Sequence, residues 1–172
     1  MAKRLMITAA EVLQDTSLEA NIEANRIRPA IIAAQEIHAQ QILGSALYDA
    51  LYAKRTVQGT WTGLTTAETT LVTDYLTDVI RYYSEFEYMK SAAYSVDNAG
   101  VVKNFSDNST PASRQEIKDQ IADAESRADF HRMKMDKWLC DNYNEFPEYI
   151  STDQIIPPRR GGRVRHIYTG KR

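Results

Sequence analysis

Apolar residues recur at every third or fourth position over two long stretches of the chain, which is the period of a helix with one buried face. The first stretch contains, in this order, Leu71, Tyr75, Val79, Tyr82, Phe86, Met89 and Ala93. Its apolar face, which is wide enough for a central helix, is extended by Leu76, Ile80 and Tyr83. The second stretch contains Ile117, Ile121, Ala124, Ala128, His131, Met135 and Trp138. We therefore predict long helices at about residues 66–94 and 112–141, the second with a narrow seam that fits one partner helix.

Shorter helices are predicted in the N-terminal third of the chain. Thr8 and Glu11 have the spacing of a capping box, which opens a short helix. The stretch 18–43 has a helical composition, with an apolar stripe made of Ile27, Ile31, Ala34 and His38. Pro29 lies inside this stretch, so it either occupies the first turn of a helix that starts near Arg28 or kinks a longer helix. We favour two helical pieces that meet at Pro29.

Glycine and proline divide the chain between these helices. Gly44 followed by Ser45 predicts the end of one helix and the start of another, which runs from residue 46 to about residue 55. The segment 56–64 contains two glycines and no helical period, so we predict a loop with a small hairpin around Gly59.

Two more capping-box patterns mark the starts of the long helices. Thr65 and Glu68 form the first of them. Ser113 and Glu116 form the second, with Pro111 at a position that suits the first turn of a helix.

The stretch between the long helices and the stretch after them have their own character. Residues 96–111 are polar and predict an excursion loop, in which the segment 101–105 is either a short strand or an exposed arm. The segment 143–149 is rich in aromatic residues and indicates a clamp that folds back on the bundle.

The fold class predicted by these elements is mostly α. We expect a helical bundle with two long helices (about 66–94 and 112–141), shorter N-terminal helices, one polar excursion loop, an extended C-terminal arm and little strand. Residues 1–150 form the helical domain and residues 151–172 form the arm. The chain has neither an apolar run long enough for a membrane span nor the apolar core of a signal peptide. Its single cysteine, Cys140, excludes an internal disulfide.

Charge separates the arm from the rest of the chain. The total is −2, but all 23 Asp/Glu lie in residues 1–153, together with 15 Lys/Arg, which gives that part a net charge of −8. Residues 154–172 carry six Lys/Arg and no acid, a net charge of +6. Segregation of this kind is typical of an arm that binds a different macromolecule. Apolar side chains, among them Ile167 and Tyr168, lie between these cations. In a complex they would be buried against the partner and anchor the arm.

Catalytic and metal-binding patterns are not found in the sequence. The glycines are scattered, so there is no phosphate-binding loop and no dinucleotide fingerprint. His38 and His131 each follow an acid by two residues, which points the two side chains of such a pair to nearly opposite faces of a helix. We interpret both histidines as hydrogen-bonded core residues. The prediction is therefore a protein that is not an enzyme and holds no cofactor or metal.

Three segments resemble a known family. The run 28–48, RPAIIAAQEIHAQQILGSALY, is similar to the N-terminal half of the head-to-tail connector (adaptor) proteins of tailed bacteriophages, and closest to those of crAss-like and other Bacteroidetes phages. The segment 98–109, NAGVVKNFSDNS, and the segment 142–149, which ends in Phe-Pro-Glu-Tyr, agree with it. Together the three segments span about residues 7–150.

The resemblance implies a structural virion protein at the head-tail junction, made in the host cytoplasm. Copies of the chain, twelve in typical members, would form a ring beneath the portal that extends the DNA channel and presents a platform to a tail protein or a second connector ring. Genomic DNA would pass through without sequence-specific binding, and no membrane would be involved. Relatives dock a C-terminal extension onto the portal, which corresponds to residues 154–172 here, although the family supplies no residue motif in that segment. From the cations and apolar anchors of the arm we predict that the portal-binding residues are Arg159, Arg160, Arg163, Arg165, Ile167 and Tyr168. The excursion loop would contact the neighbouring subunit or the channel through Val101, Val102, Lys103 and Phe105.

An alternative reading is a nucleic-acid-binding helical protein. The Arg-Gly-Gly-Arg run at 160–163 is common in RNA-binding tails, and it would grip phosphates while the helical body dimerises. Salt discriminates the two readings, because phosphate binding weakens steeply as the salt concentration rises.

Overall fold

A computed structural model describes residues 3–18, 22–56, 59–92, 95–97, 100–102 and 114–150. Its α-helices are α1 (Ala9–Gln14), α2 (Ala24–Ala33), α3 (Gln40–Lys54), α4 (Thr66–Leu71), α5 (Thr77–Ala92) and α6 (Arg114–Asp141). Two π-helical segments join consecutive helices, π1 (Ala34–Ala39) and π2 (Val72–Leu76). Two short strands, β1 (Ser95–Asp97) and β2 (Gly100–Val102), precede α6, and two 3-10 turns, Tyr143–Glu145 and Pro147–Ile150, follow it. The mostly α prediction is confirmed.

The N-terminal capping box is formed as predicted. The Thr8 backbone N–H donates to the Glu11 carboxylate at 2.6 Å, and the Glu11 backbone N–H donates to the Thr8 hydroxyl oxygen at 3.2 Å. The box at Thr65 and Glu68 is formed in the same way at the start of α4. The capping box predicted at Ser113 and Glu116 stays a prediction, because Pro111 and Ser113 lie outside the described residues.

The prediction that two helical pieces meet at Pro29 is wrong. Helix α2 begins at Ala24, and Pro29 lies inside it, in the second turn. Proline lacks the N–H that would bond to the carbonyl four residues earlier, so this turn loses one hydrogen bond. Ile27 and Ile31, on either side of Pro29, are both fully buried. Their shared packing face stabilises one continuous helix despite the missing bond.

Gly44 interrupts the next helix, as the sequence predicts. Its φ is 74° and its ψ is 158°, which are not helical values, and the two parts of α3 meet there at a kink. Only glycine adopts this conformation without strain. After the kink, Leu47, Tyr48 and Leu51 are buried.

The predicted loop 56–64 contains a small hairpin. Arg55 and Trp61 form an isolated antiparallel bridge, and Gly59 has a φ of 85°.

The two π-helical segments were not predicted from the sequence. A π turn carries an extra residue, which rotates the helix face that follows it. In α5, which follows π2, Ile80 and Tyr83 are buried together with Val79 and Phe86, whereas Tyr75 of π2 and Tyr82 of α5 lie at the edge of the core. The burial of Ile80 and Tyr83 confirms the wider apolar face that is predicted from the sequence.

The centre of the bundle is the contact between α5 and α6, and α2 and π1 also pack on α5. Ala124, Ala128 and Met135 of the predicted seam are fully buried. Small alanines let the two long helices approach closely. The aromatic clamp is also confirmed, because Phe146 and Tyr149 are 1% and 2% exposed.

The strand content is small, as expected. Strands β1 and β2 form an antiparallel pair in which Val96 lies opposite Val101. Within the described part of the chain, no helix is both long and apolar enough to cross a membrane.

Candidate functional site

The residues predicted to bind a portal lie outside the described part of the chain, which ends at Ile150. Those predicted to contact a neighbouring subunit or the channel divide into two groups. Val101 and Val102 belong to strand β2, whereas Lys103 and Phe105 lie outside the described residues. The sites predicted for the arm therefore stay predictions.

His38 is a hydrogen-bonded residue at the edge of the core, as the sequence analysis interpreted it. Its Nε2 lies 3.0 Å from the Glu87 carboxylate, and its ring stacks on Tyr83 with 3.8 Å between the ring centroids. The Tyr83 hydroxyl in turn donates to Asp129 of α6 at 2.6 Å. Burial, with help from this hydrogen bond, raises the pKa of Tyr83 above its ordinary value. The group links π1, α5 and α6 and serves their packing.

His131 packs in a related way but lacks the expected hydrogen bond. Its ring stacks on Tyr82 at 4.3 Å, and its Nδ1 lies 3.5 Å from an Asp78 oxygen without forming a hydrogen bond. Burial lowers the pKa of His131, and the charge of Asp78 opposes that effect. A hydrogen-bonded core histidine is therefore confirmed at position 38 and wrong at position 131.

A buried carboxylate also lies on α5. Glu85 is completely buried, and its Oε1 accepts a hydrogen bond from Arg127 at 2.9 Å. The same oxygen accepts hydrogen bonds from the backbone N–H and the hydroxyl of Ser17, which lies after α1. Its Oε2 has no hydrogen-bond partner in the described structure. One carboxylate thus ties the N-terminal segment and α6 to α5.

No metal site is formed by these groups. In the described parts of the chain, no three His, Cys, Asp or Glu side chains are placed to share a metal ion.

A different concentration of charge lies at the N-terminal end of the body. A cleft of about 460 Å³ lies between the first described residues, the start of α2 and the turn after α3. Among the described residues, its lining contains no acid and four cations, which are Lys3, Arg4, Arg28 and Arg55. We call this feature the basic cleft.

Arg55 is the deepest cation of the basic cleft. The residue is only 4% exposed, its guanidinium carbon lies 4.9 Å from the centre of the Trp61 ring, and its Nε donates to the Leu5 carbonyl at 3.1 Å. Burial lowers the pKa of Arg55, and the nearby charge of Glu11 opposes this shift. Among the described residues, no carboxylate forms an ion pair with it.

The wall of the cleft is held in place by a buried amide. Gln35, which is fully buried in π1, accepts a hydrogen bond from the Met6 backbone N–H at 3.1 Å and donates one to the Arg4 carbonyl at 3.0 Å. Met6 and Ile7 are each 1% exposed. The N-terminal segment is therefore a packed part of the body.

The basic cleft is not apparent from the sequence, because its cations belong to a body whose net charge is negative. The relevant signals were visible as Lys3-Arg4, Arg28 and Lys54-Arg55. They lie about 25 residues apart along the chain, and nothing in the hydrophobic pattern indicates that they converge. Only the packing of the N-terminal segment against α3 brings them together.

Residues 39–159 match a family described as "Family of unknown function (DUF6712)". This match covers well over half of the chain. The chain belongs to the DUF6712 family. The region shared with DUF6712 includes α3 to α6 and Arg55, whereas the N-terminal wall of the basic cleft precedes it. No curated protein and no solved structure matches the chain.

Proposed function

We propose that the protein is a structural virion protein of a tailed bacteriophage. Copies of it form a ring between the capsid portal and the tail and extend the DNA channel. The basic segment 154–172 of each copy docks onto the portal, with Ile167 and Tyr168 as anchors and the arginines as steering charges.

The observation that carries this proposal is the division of charge along the chain. Residues 1–153 have a net charge of −8 and residues 154–172 have a net charge of +6. Charges of both signs spread evenly along the chain would fit a protein without a separate binding arm. The observed division of charge indicates that the body and the arm bind different partners. The sequence resemblance to connector proteins agrees with it.

The described body offers surfaces for contacts between subunits. On α6, Phe130 and Met133 are 63% and 67% exposed and lie one turn apart. Large exposed apolar side chains that neighbour one another are typical of protein interfaces. In a ring, such a patch meets a different surface of the next copy, and the contact repeats around the axis.

The acidic body also suits a channel through which DNA must slide. Negative side chains repel phosphates, so a lining of this kind prevents tight binding along the duplex. Weak contacts of a single arm become strong when every subunit of a ring makes one, because the later contacts form at high effective concentration.

Imaging of the native phage particle tests the proposal directly. We expect a ring of this chain beneath the portal, with residues 154–172 in contact with the portal protein. A particle that lacks the chain contradicts the proposal, and so does a ring in which this segment packs on its own body.

A binding experiment separates portal docking from phosphate binding. The full chain is measured against the portal ring and against duplex DNA over a range of salt concentrations. We expect portal binding to fall sharply when Ile167 and Tyr168 are both replaced by Ala, and to fall less with salt than a set of phosphate contacts would.

A matched control for the arm replaces four exposed cations of α6 by Gln: Lys118, Arg132, Lys134 and Lys137. This variant removes as much charge as replacing Arg159, Arg160, Arg163 and Arg165 by Gln. Only the second set should weaken portal binding. Equal losses from both sets, or retention of DNA that depends on the arm, would favour the nucleic-acid-binding alternative.

A further inference from the structure

The basic cleft gathers positive charge on a body that is acidic as a whole. Of its four cations, Lys3 alone has a carboxylate partner among the described residues, which is Glu36. Arg28 donates through Nη2 to the Lys3 carbonyl at 2.6 Å, and Arg4 donates through Nη1 to the Arg55 carbonyl at 2.8 Å. Three arginines therefore line one small cleft, and none of them forms an ion pair with a carboxylate of the described residues.

The start of α2 adds to this positive potential. Ala24 and Asn25, its first two residues, line the cleft. Glu23 precedes them and makes no capping hydrogen bond with its side chain. The first backbone N–H groups of a helix have no partner within the helix, and they attract anions.

The acid whose charge acts on Arg55 already has another role. Glu11 acts on Arg55 through its charge, but its carboxylate accepts hydrogen bonds from both the backbone N–H and the hydroxyl of Thr8, at 2.6 Å and 2.7 Å. It therefore serves as the capping partner of α1. The buried guanidinium of Arg55 is left with a single hydrogen bond, to the Leu5 carbonyl, among the described residues.

The shape of the cleft limits which anion can enter. Arg55 is 4% exposed, so only a small group on a narrow stem reaches it. The phosphates of a duplex lie on a broad cylinder and cannot approach a guanidinium at this depth. Part of the wall is apolar, from Leu5, Ile7 and Ala9, and it suits the methylene groups of an acidic side chain. An arginine fork also matches the two oxygens of a carboxylate.

We propose that the basic cleft binds a carboxylate side chain, supplied by the acidic face of α6 on a second copy of the chain. Glu116, Asp119 and Asp123 lie at helical spacings of three and four on α6, and all three are exposed. Asp123 forms no hydrogen bond or ion pair with any described residue. Helix α6 contributes no residue to the cleft of its own copy.

The contact is a heterologous one, because the cleft and the acidic face are different surfaces. Such contacts repeat from copy to copy and close into a ring when the rotation allows it. The identity of the occupant thus rests on the proposed ring, whereas the carboxylate chemistry of the cleft does not.

Titration of the full chain, followed by NMR of the arginine Nε–H groups, tests the cleft. The probes are a capped peptide that copies residues 115–126, the same peptide with every Asp and Glu replaced by Asn and Gln, inorganic phosphate, and duplex DNA. We expect the acidic peptide alone to shift the signals of Arg28 and Arg55 in a saturable way. The absence of such a shift overturns the proposal, and so does an equal or larger shift with phosphate or DNA.

A matched pair of variants locates the site. Arg28→Gln should weaken binding of the acidic peptide about tenfold by removing a charged hydrogen-bond donor. Arg26→Gln should leave it unchanged, because Arg26 lies on the same helix but outside the cleft. Equal weakening by both variants would mean that general charge, and not the cleft, holds the peptide.

Charge reversal tests the occupant. Self-association of the full chain at low salt is measured by sedimentation for Arg28→Glu, for Asp123→Lys and for an equimolar mixture of the two. Each variant alone should associate about tenfold more weakly than the unaltered chain, and the mixture should regain association because opposite charges meet again. A mixture no stronger than the separate variants, or an unaltered chain that does not associate, overturns the occupant. Neither of these results tests whether the protein forms a ring beneath the portal, because that proposal is tested separately by imaging of the phage particle.

Discussion

Buried charged side chains have partners on one side of the body and lack an ion-pair partner on the other. Around α5, buried and half-buried carboxylates have charged or hydrogen-bonding partners: Glu85 pairs with Arg127 of α6, and Glu87 pairs with His38 of π1. In the basic cleft, Arg55 is almost completely buried and has no carboxylate partner among the described residues. The first arrangement is what packing requires, because an unpaired charge is costly to bury. The second is incomplete as a packing arrangement, and a ligand would complete it.

The comparison separates structural charge from charge kept for binding. A pair such as Tyr83 and Asp129 satisfies itself within the fold, so its removal should affect stability. A cation that has no ion-pair partner in its own chain but binds an anion of another molecule should contribute little to the unfolding free energy and much to binding. Measurements of unfolding free energy can therefore tell the two sides apart.

The largest effect is expected from Arg127→Met. This change leaves the completely buried Glu85 carboxylate with Ser17 as its only hydrogen-bond partner among the described residues. Arg127 is itself 45% exposed, so we expect the unfolding free energy, measured by urea denaturation, to fall by about 2 kcal/mol, which is the cost of leaving a buried carboxylate without its charged partner. The double variant with Glu85→Gln should lose clearly less than the two single losses added together, because no buried charge remains unpaired.

Arg132→Met is the control for this prediction. Arg132 pairs with Asp129 at 3.3 Å on the same helix, but both side chains are about half exposed. Such exposed pairs contribute less than about 1 kcal/mol to the unfolding free energy, so Arg132→Met should have little effect. The two arginines are about equally exposed, so the variants differ in whether the carboxylate partner is buried. If Arg127→Met and Arg132→Met destabilise equally, burial of the carboxylate makes no difference and the distinction fails.

A smaller effect is expected on the other side, from Arg55→Met. The change removes a hydrogen bond to the Leu5 carbonyl, but it also relieves the cost of burying a charge. We expect the unfolding free energy to change by no more than about 1 kcal/mol. A loss as large as that of Arg127→Met would show that Arg55 is a structural residue and would break the comparison.

The smallest effect is expected from pH, through His131. Burial lowers the pKa of His131 in the folded protein below the value of about 6.5 for an exposed histidine. The unfolded chain therefore binds the proton more strongly, and stability is lost as the pH falls below about 6.5. His131→Gln should reduce this loss between about pH 7.5 and 5.5, measured by urea denaturation. An unchanged pH dependence would contradict the role of His131.

Much of the helical order could be predicted from the sequence, and the exceptions have physical causes. The capping boxes at Thr8 and Thr65 and the break at Gly44 are local, because each depends on the conformation of a few neighbouring residues. Pro29 misled the prediction because its local cost was outweighed by burial of Ile27 and Ile31 against the rest of the bundle. Local rules cannot weigh that packing.

The sequence by itself determined the class of fold, since apolar periodicity and caps depend on neighbours within a few residues. It also determined the separation of an acidic body from a basic C-terminal segment, because charge is a property of composition. The tertiary structure alone decided which charges meet. Arg4, Arg28 and Arg55 are distant in the chain, and they share a cleft because the N-terminal segment is packed against α3 and held by Gln35. Convergence of this kind follows from the packing of whole elements, which no short stretch of sequence encodes.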